Sequence, residues 1–125
     1  MEIESILITY LGVIKKFAEF SGRTGRREFW TFAICNAVIG AAFGILSRIP
    51  VLGVLFGIVS ALFSLAILVP SIAVGFRRLH DTNRSGMFML LCLVPLVGAI
   101  ILLVFCAQDG TPGDNQYGAD PKSVQ

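Results

Sequence analysis

The chain is poor in charge and has almost no histidine, and each shortage excludes something. Only 14% of its 125 residues are Asp, Glu, Lys or Arg, against about a quarter in an ordinary soluble domain. A water-soluble fold of this length has too little polar chain to cover its apolar half. His80 is the only histidine, which excludes two-histidine zinc motifs such as HExxH. No CxxC, GxSxG or phosphate-binding loop occurs, so no cofactor, metal site or catalytic residue is expected. The net charge of +2 is too small to argue for nucleic acid. The start, Met1 to Ile14, carries Glu2 and Glu4 where a cleavable signal would carry Lys or Arg. The first long apolar run is therefore expected to act as its own insertion signal.

What the chain has instead is apolar length. Hydrophobic residues make up 55% of it, and they gather in three runs, 29–47, 51–75 and 87–107. Crossing a bilayer core takes ~20 apolar residues at 1.5 Å each, and each run is long enough. The expected fold is an all-α integral membrane protein in one domain. It has three transmembrane helices, a cytoplasmic segment (1–28) and an outward-facing tail (108–125). Before the first run, Ile3, Ile6, Leu7, Leu11, Ile14, Phe17 and Ala18 share one helical face. That segment reads as an amphipathic helix in the membrane interface, or as a short helix packed on the bundle. Arg48-Ile49-Pro50 is short enough to make runs one and two an antiparallel hairpin. Pro70 and Pro95 are expected to kink the second and third spans, and Ser85 to cap the third. Cys92 and Cys106, about 21 Å apart on one continuous helix, could not bond to each other. With Cys35 they read as small hydrophobes.

The basic residues orient this frame. Lys15, Lys16, Arg23, Arg26 and Arg27 precede run one, and Arg77, Arg78 and Arg84 follow run two. Arg48 and Lys122 are the only two assigned to the other side. The positive-inside bias puts the N-terminus in the cytoplasm and, with three spans, the C-terminus on the periplasmic or extracellular side. Within the spans, Gly40 and Gly44 on run one and Gly53 and Gly57 on run two form small-residue stripes that let helices approach, within the hairpin first or between copies of the chain second. Asn36, deep in run one, needs a partner, with Ser60, Ser64 or a backbone carbonyl as candidates.

The chemically dense segments are 22–30 and 76–86. If they share one face, Arg23, Arg26, Arg27, Arg77, Arg78 and Arg84 converge around Glu28 and Asp81. Guanidinium forks bind phosphate in bidentate fashion, so such a cluster suits an anionic lipid or a partner protein. The simpler reading is that the arginines set topology while Glu28, His80 and Asp81 fix the loops. Asp109, Asp114 and Asp120 are acidic, but their spacing matches no calcium loop.

GRTGRREFW (22–30), FRRLHDTNRSG (76–86) and GTPGDNQYGADP (110–121) resemble, in order and spacing, the three signatures of the domain-of-unknown-function 805 family. These are small bacterial inner-membrane proteins. The resemblance runs from about Phe17 to Lys122 and implies an inner (plasma) membrane location. It implies an ordered tail rather than a disordered one, with Tyr117 as an anchor at the interface. It carries no activity, substrate or catalytic residue. The function expected is a non-enzymatic membrane component that binds anionic lipid or a partner through its arginine-rich cytoplasmic face. One alternative is an oligomeric subunit of a transporter or channel, built from copies of this chain or with a partner membrane protein. Another is a membrane enzyme using His80 and Asp81 on lipid phosphate.

Overall fold

The computed structural model describes residues 2–121; Lys122, the one basic residue expected in the tail, lies outside them. Four α-helices and one 3-10 helix follow in order: α1 Glu2–Lys15, α2 Arg26–Leu46, α3 Leu52–Asp81, the 3-10 helix Gly86–Leu93, and α4 Val97–Ala107. Among the described residues the only β pairing is the isolated bridge between Asn115 and Gly118.

Helices α2 and α3 have 21 and 30 residues, about 31 and 45 Å at 1.5 Å per residue. Both are long enough for a hydrocarbon core ~30 Å thick. Only 6% of the apolar window of each is buried, so neither is the hidden core helix of a soluble domain. Ile34, Val38 and Ile45 on α2 and Leu55, Leu62 and Leu65 on α3 stand exposed. Their connection is the short turn expected from Arg48-Ile49-Pro50. The Ser47 hydroxyl donates back to the Gly44 carbonyl at 2.8 Å. The hairpin does not close through its glycines. A Cβ at Gly40, Gly44 or Gly57 would meet nothing within 4 Å, and Gly53 packs on the Ser47 carbonyl of its own turn. Phe43 and Phe63 meet instead, with ring centroids 6.0 Å apart, and their bulk keeps the two backbones from glycine-type contact.

The third apolar run departs from its expected form. It is not one spanning helix but a second hairpin. The 3-10 helix ends at Leu93, the chain reverses through Val94-Pro95-Leu96, and α4 returns. Pro95 cannot donate a helical hydrogen bond, and Leu96 takes a left-handed φ of 64°, so the proline reverses the chain where a kink was expected. Gly98 makes the reversal tight, since any Cβ there would run into the Leu91 carbonyl. The two arms face each other, Phe88 edge-on to Phe105 at 5.7 Å. Both ends of this hairpin lie at the same end of α3. Gly86 sits against the Phe76 ring, and the Cys106 carbonyl accepts from Arg78. At 11 residues, α4 is about 16 Å long and reaches roughly halfway through a bilayer core. The tail that follows therefore lies at the arginine-bearing end, not at the opposite one. Folding the run back also puts Cys92 and Cys106 on the walls of one cavity, with both thiols free.

Helix α1 lies across the base of the first hairpin. Ser5 meets Arg27, Tyr10 stacks on Phe32 at 5.2 Å, Val13 packs in the cluster with Val74, and the Lys16 carbonyl accepts from Arg77. Its Tyr10 and Val13 are buried, while Ile3, Leu7, Ile8 and Leu11 remain exposed. One stripe thus packs on protein, and a second apolar stripe is left for lipid. Asn36 finds its partner here, in neither Ser60 nor Ser64: the Tyr10 hydroxyl donates to Asn36 Oδ1 at 2.6 Å. Burial, and secondarily Cys35, push the Tyr10 hydroxyl above its ordinary pKa, so it stays protonated and keeps donating. Replacing Tyr10 with Phe keeps the ring stack and removes only the donor. Membrane-buried side-chain hydrogen bonds average ~0.6 kcal/mol, so equilibrium unfolding in mixed micelles should show a loss of that order. An unchanged midpoint would mean that the bond contributes nothing.

Candidate functional site

The last turn of α3 ends in Arg77, Arg78, His80 and Asp81, all buried. A buried guanidinium is costly unless its donors are satisfied, and here almost all of them are. Arg78 donates through Nε to the Cys106 carbonyl at 2.8 Å and through Nη1 to the Thr24 carbonyl at 3.0 Å. It also pairs with Asp81 one turn on and with the Gln108 carbonyl. Arg77 reaches the other way, through Nε to the Thr24 hydroxyl at 3.0 Å. Its Nη1 donates to the carbonyls of Glu19 at 2.6 Å and Lys16 at 3.2 Å. Its Nη2 is buried with no hydrogen-bond partner.

Arg23 completes the cluster from the glycine-containing turn before α2. Its side chain is 1% exposed and pairs with Asp81 at 3.0 Å. It also donates to the tail carbonyls of Thr111 and Gly113, both at 2.6 Å. Asp81 thus sits between two guanidiniums, and its backbone carbonyl accepts from the Thr111 amide at 2.7 Å. Gly110 is obligatory at that approach, because a Cβ there would collide with the Asp81 carboxylate.

His80 lies on the other side of the turn. Its Nδ1 is 2.9 Å from the Gly22 carbonyl, which can only accept, so Nδ1 carries the proton. The ring stacks on Tyr117 with centroids 4.1 Å apart and planes within 5°. The Asn115 side chain donates to the His80 carbonyl at 3.0 Å. Tyr117 therefore anchors the tail on a histidine, where sequence reading placed it at the membrane interface. Residues 108–121 form a strap held by side chains from three other segments. Among the described residues, no group of three His, Cys, Asp or Glu could hold a metal ion.

The six arginines expected to face lipid or a partner divide into two sets. Arg23, Arg77 and Arg78 are consumed by carbonyls and Asp81, a consequence of burial that spacing could not reveal. Arg26, Arg27 and Arg84 keep surface. Arg26 pairs with Asp109 at 3.4 Å, the two side chains 47% and 62% exposed. Arg27 donates to the Ser5 hydroxyl at 2.7 Å, and Arg84 lies 4.0 Å over the Phe105 ring. Glu28 lies near Lys16 and Arg23 at the same end. Thr24 was missed by sequence reading. It serves Arg77 with its hydroxyl and Arg78 with its carbonyl, and nothing in its spacing marks it.

The fold and site define a helical membrane protein with a long apolar hairpin, locked at one end by a buried arginine–aspartate knot that ties down its tail. The chain belongs to the family described as protein of unknown function DUF805, whose model matches residues 17–119. It is 46% identical to the inner membrane protein YhaI of Escherichia coli K12, over 90% of this chain and 94% of that one. It is 41% identical to the inner membrane protein YhaH of the same strain, over 90% and 95%. The uncharacterized protein YiiR is 32% identical over 85% and 88%. No solved structure matches the chain. The family match runs over 17–119, so it takes in the first two signature segments and all but the last two residues of the third, and leaves out α1.

Proposed function

We propose that the protein is a non-enzymatic component of the bacterial inner membrane whose cytoplasmic face holds anionic lipid. The observation that carries this is the sorting of the basic residues. Eight of the nine described Lys and Arg residues sit at the knot end, and Arg48 alone sits at the hairpin turn. With the tail folded back to that end, the positive-inside bias is stronger than a three-span topology allowed. The protein then spans the membrane twice, with both described ends in the cytoplasm. After the knot has used three arginines, Arg26, Arg27 and Arg84 remain with exposed Lys15 and Lys16. These are the charges that can meet a leaflet of anionic headgroups, at about 1 kcal/mol each near the surface.

The test is lipid selectivity of the purified full chain in nanodiscs holding phosphatidylglycerol and phosphatidylcholine, read by native mass spectrometry. All three arginines already have a partner within the protein, so changing all three to Gln is expected to cut the preference for phosphatidylglycerol by about tenfold rather than the ~100-fold of three free charges. An undiminished preference would end the lipid reading.

A further inference from the structure

Between α2 and α4 lies a cavity of about 410 Å³, within the ~300–1,000 Å³ range of small-molecule sites. Its walls are almost wholly apolar. Phe29 and Ala33 come from α2, and Ala99 and Leu103 from α4. Its floor is Met89, which lies so close over Gly75 that a Cβ there would stand 2.8 Å from its sulfur. The cavity lies along the membrane-crossing part of α2, and Cys92 and Leu103 in its walls are themselves exposed, so what reaches it comes from the hydrocarbon and not from water.

At its head stands Arg26, in a neighbouring pocket that it shares with Arg27 and with the acidic Asp109 and Asp120. Arg26, Phe29 and Ala33 follow one another at i, i+3 and i+7, which is one face of α2. The Arg26 guanidinium crosses to the end of α4, where Nη1 donates to the Ala107 carbonyl at 3.3 Å. It pairs with Asp109 at 3.4 Å, both side chains being exposed, and such pairs are weak. An apolar cleft with a half-exposed cation at its rim complements an anionic amphiphile. It does not suit a second helix: one turn about 10 Å wide and 5.4 Å tall would already fill it.

We propose that this cleft seats one acyl chain of an anionic glycerophospholipid, with the phosphate at Arg26. The inference rests on the lipid reading above and adds to it a defined chain site. It is tested by proteoliposomes of the full chain carrying phosphatidylglycerol with a photoactivatable diazirine in the middle of one acyl chain, and by the same probe with a choline headgroup. Labelled peptides are expected within 29–36 and 99–106. Filling the cleft with Ala33→Phe plus Ala99→Phe should lower that labelling at least fivefold. Arg26→Gln should bring the glycerol probe down to the level of the choline probe. Where the double variant does not accumulate, Ala33→Leu alone is the smaller fill and should lower labelling about twofold.

Labelling spread over the exposed lengths of α2 and α3, and indifferent to the filling substitutions, would overturn the proposal. If selectivity for phosphatidylglycerol then still depended on Arg26, Arg27 and Arg84, the surface reading would survive and only the chain site would fall. If both probes labelled the cleft equally in the unmodified protein, the assignment of the phosphate to Arg26 would fall.

Discussion

Replacing Arg78 with Met is expected to leave little folded protein in the membrane. The side chain is fully buried and is the one group bonded at once to the turn before α2, to the end of α4, to the tail and to Asp81. Methionine matches much of its length but none of its donors. Three carbonyls would lose their partner, at ~1–3 kcal/mol for each that stays dry. Asp81 would lose one of its two cations, and breaking a buried pair costs ~3–5 kcal/mol. Water entering at this end of the bundle would soften the sum. Even a loss of about 4 kcal/mol is a large part of a domain's ~5–15 kcal/mol.

Arg78→Lys should fare almost as badly, since a single ammonium cannot reproduce a planar fork that serves carbonyls on different segments. Thermal unfolding in detergent, followed by size-exclusion fluorescence, would measure both variants. Either one melting like the unmodified chain would show that the knot is not what holds the fold.

A reporter fused after the tail is expected to read the same compartment as one fused before α1. Alkaline phosphatase should be inactive at both positions and a fluorescent protein bright at both, whereas phosphatase in the turn near Arg48 should be active. The effect is all-or-none, because a third crossing would move the tail across the whole membrane. Its basis is the bonding of Arg23 and Arg78 to the tail and α4 carbonyls, which cannot form across ~30 Å of hydrocarbon. Phosphatase activity at the tail would restore the three-span topology and with it a different structure for the third run.

The contrast between the second and third apolar runs shows what was legible in the sequence. Both contain a proline. Pro70 sits inside α3, which continues to Asp81, while Pro95 ends one helix and begins a hairpin. Composition treats the two alike, because hydropathy counts residues and says nothing about where a chain reverses. What separates them is contact with distant residues. Gly98 fits only beneath the Leu91 carbonyl, and the returning α4 delivers the Cys106 carbonyl to Arg78. The arginines make the same point. Their clustering near Asp81 was readable from the two loops flanking one hairpin. Which of them keep contact with solvent depended on where the tail lies.

The sequence alone determined the membrane class, the helical hairpin and the gathering of basic residues at one end, because these follow from local hydrophobicity, turn length and charge. It also marked the tail as ordered, through its resemblance to a family. Only the tertiary structure decided that the third run turns back, that Tyr10 serves Asn36, and that Arg23, Arg77 and Arg78 are spent inside while Arg26, Arg27 and Arg84 face out. Those outcomes rest on pairing donors with acceptors 26 to 95 positions away in the chain. No local pattern records pairings at that distance.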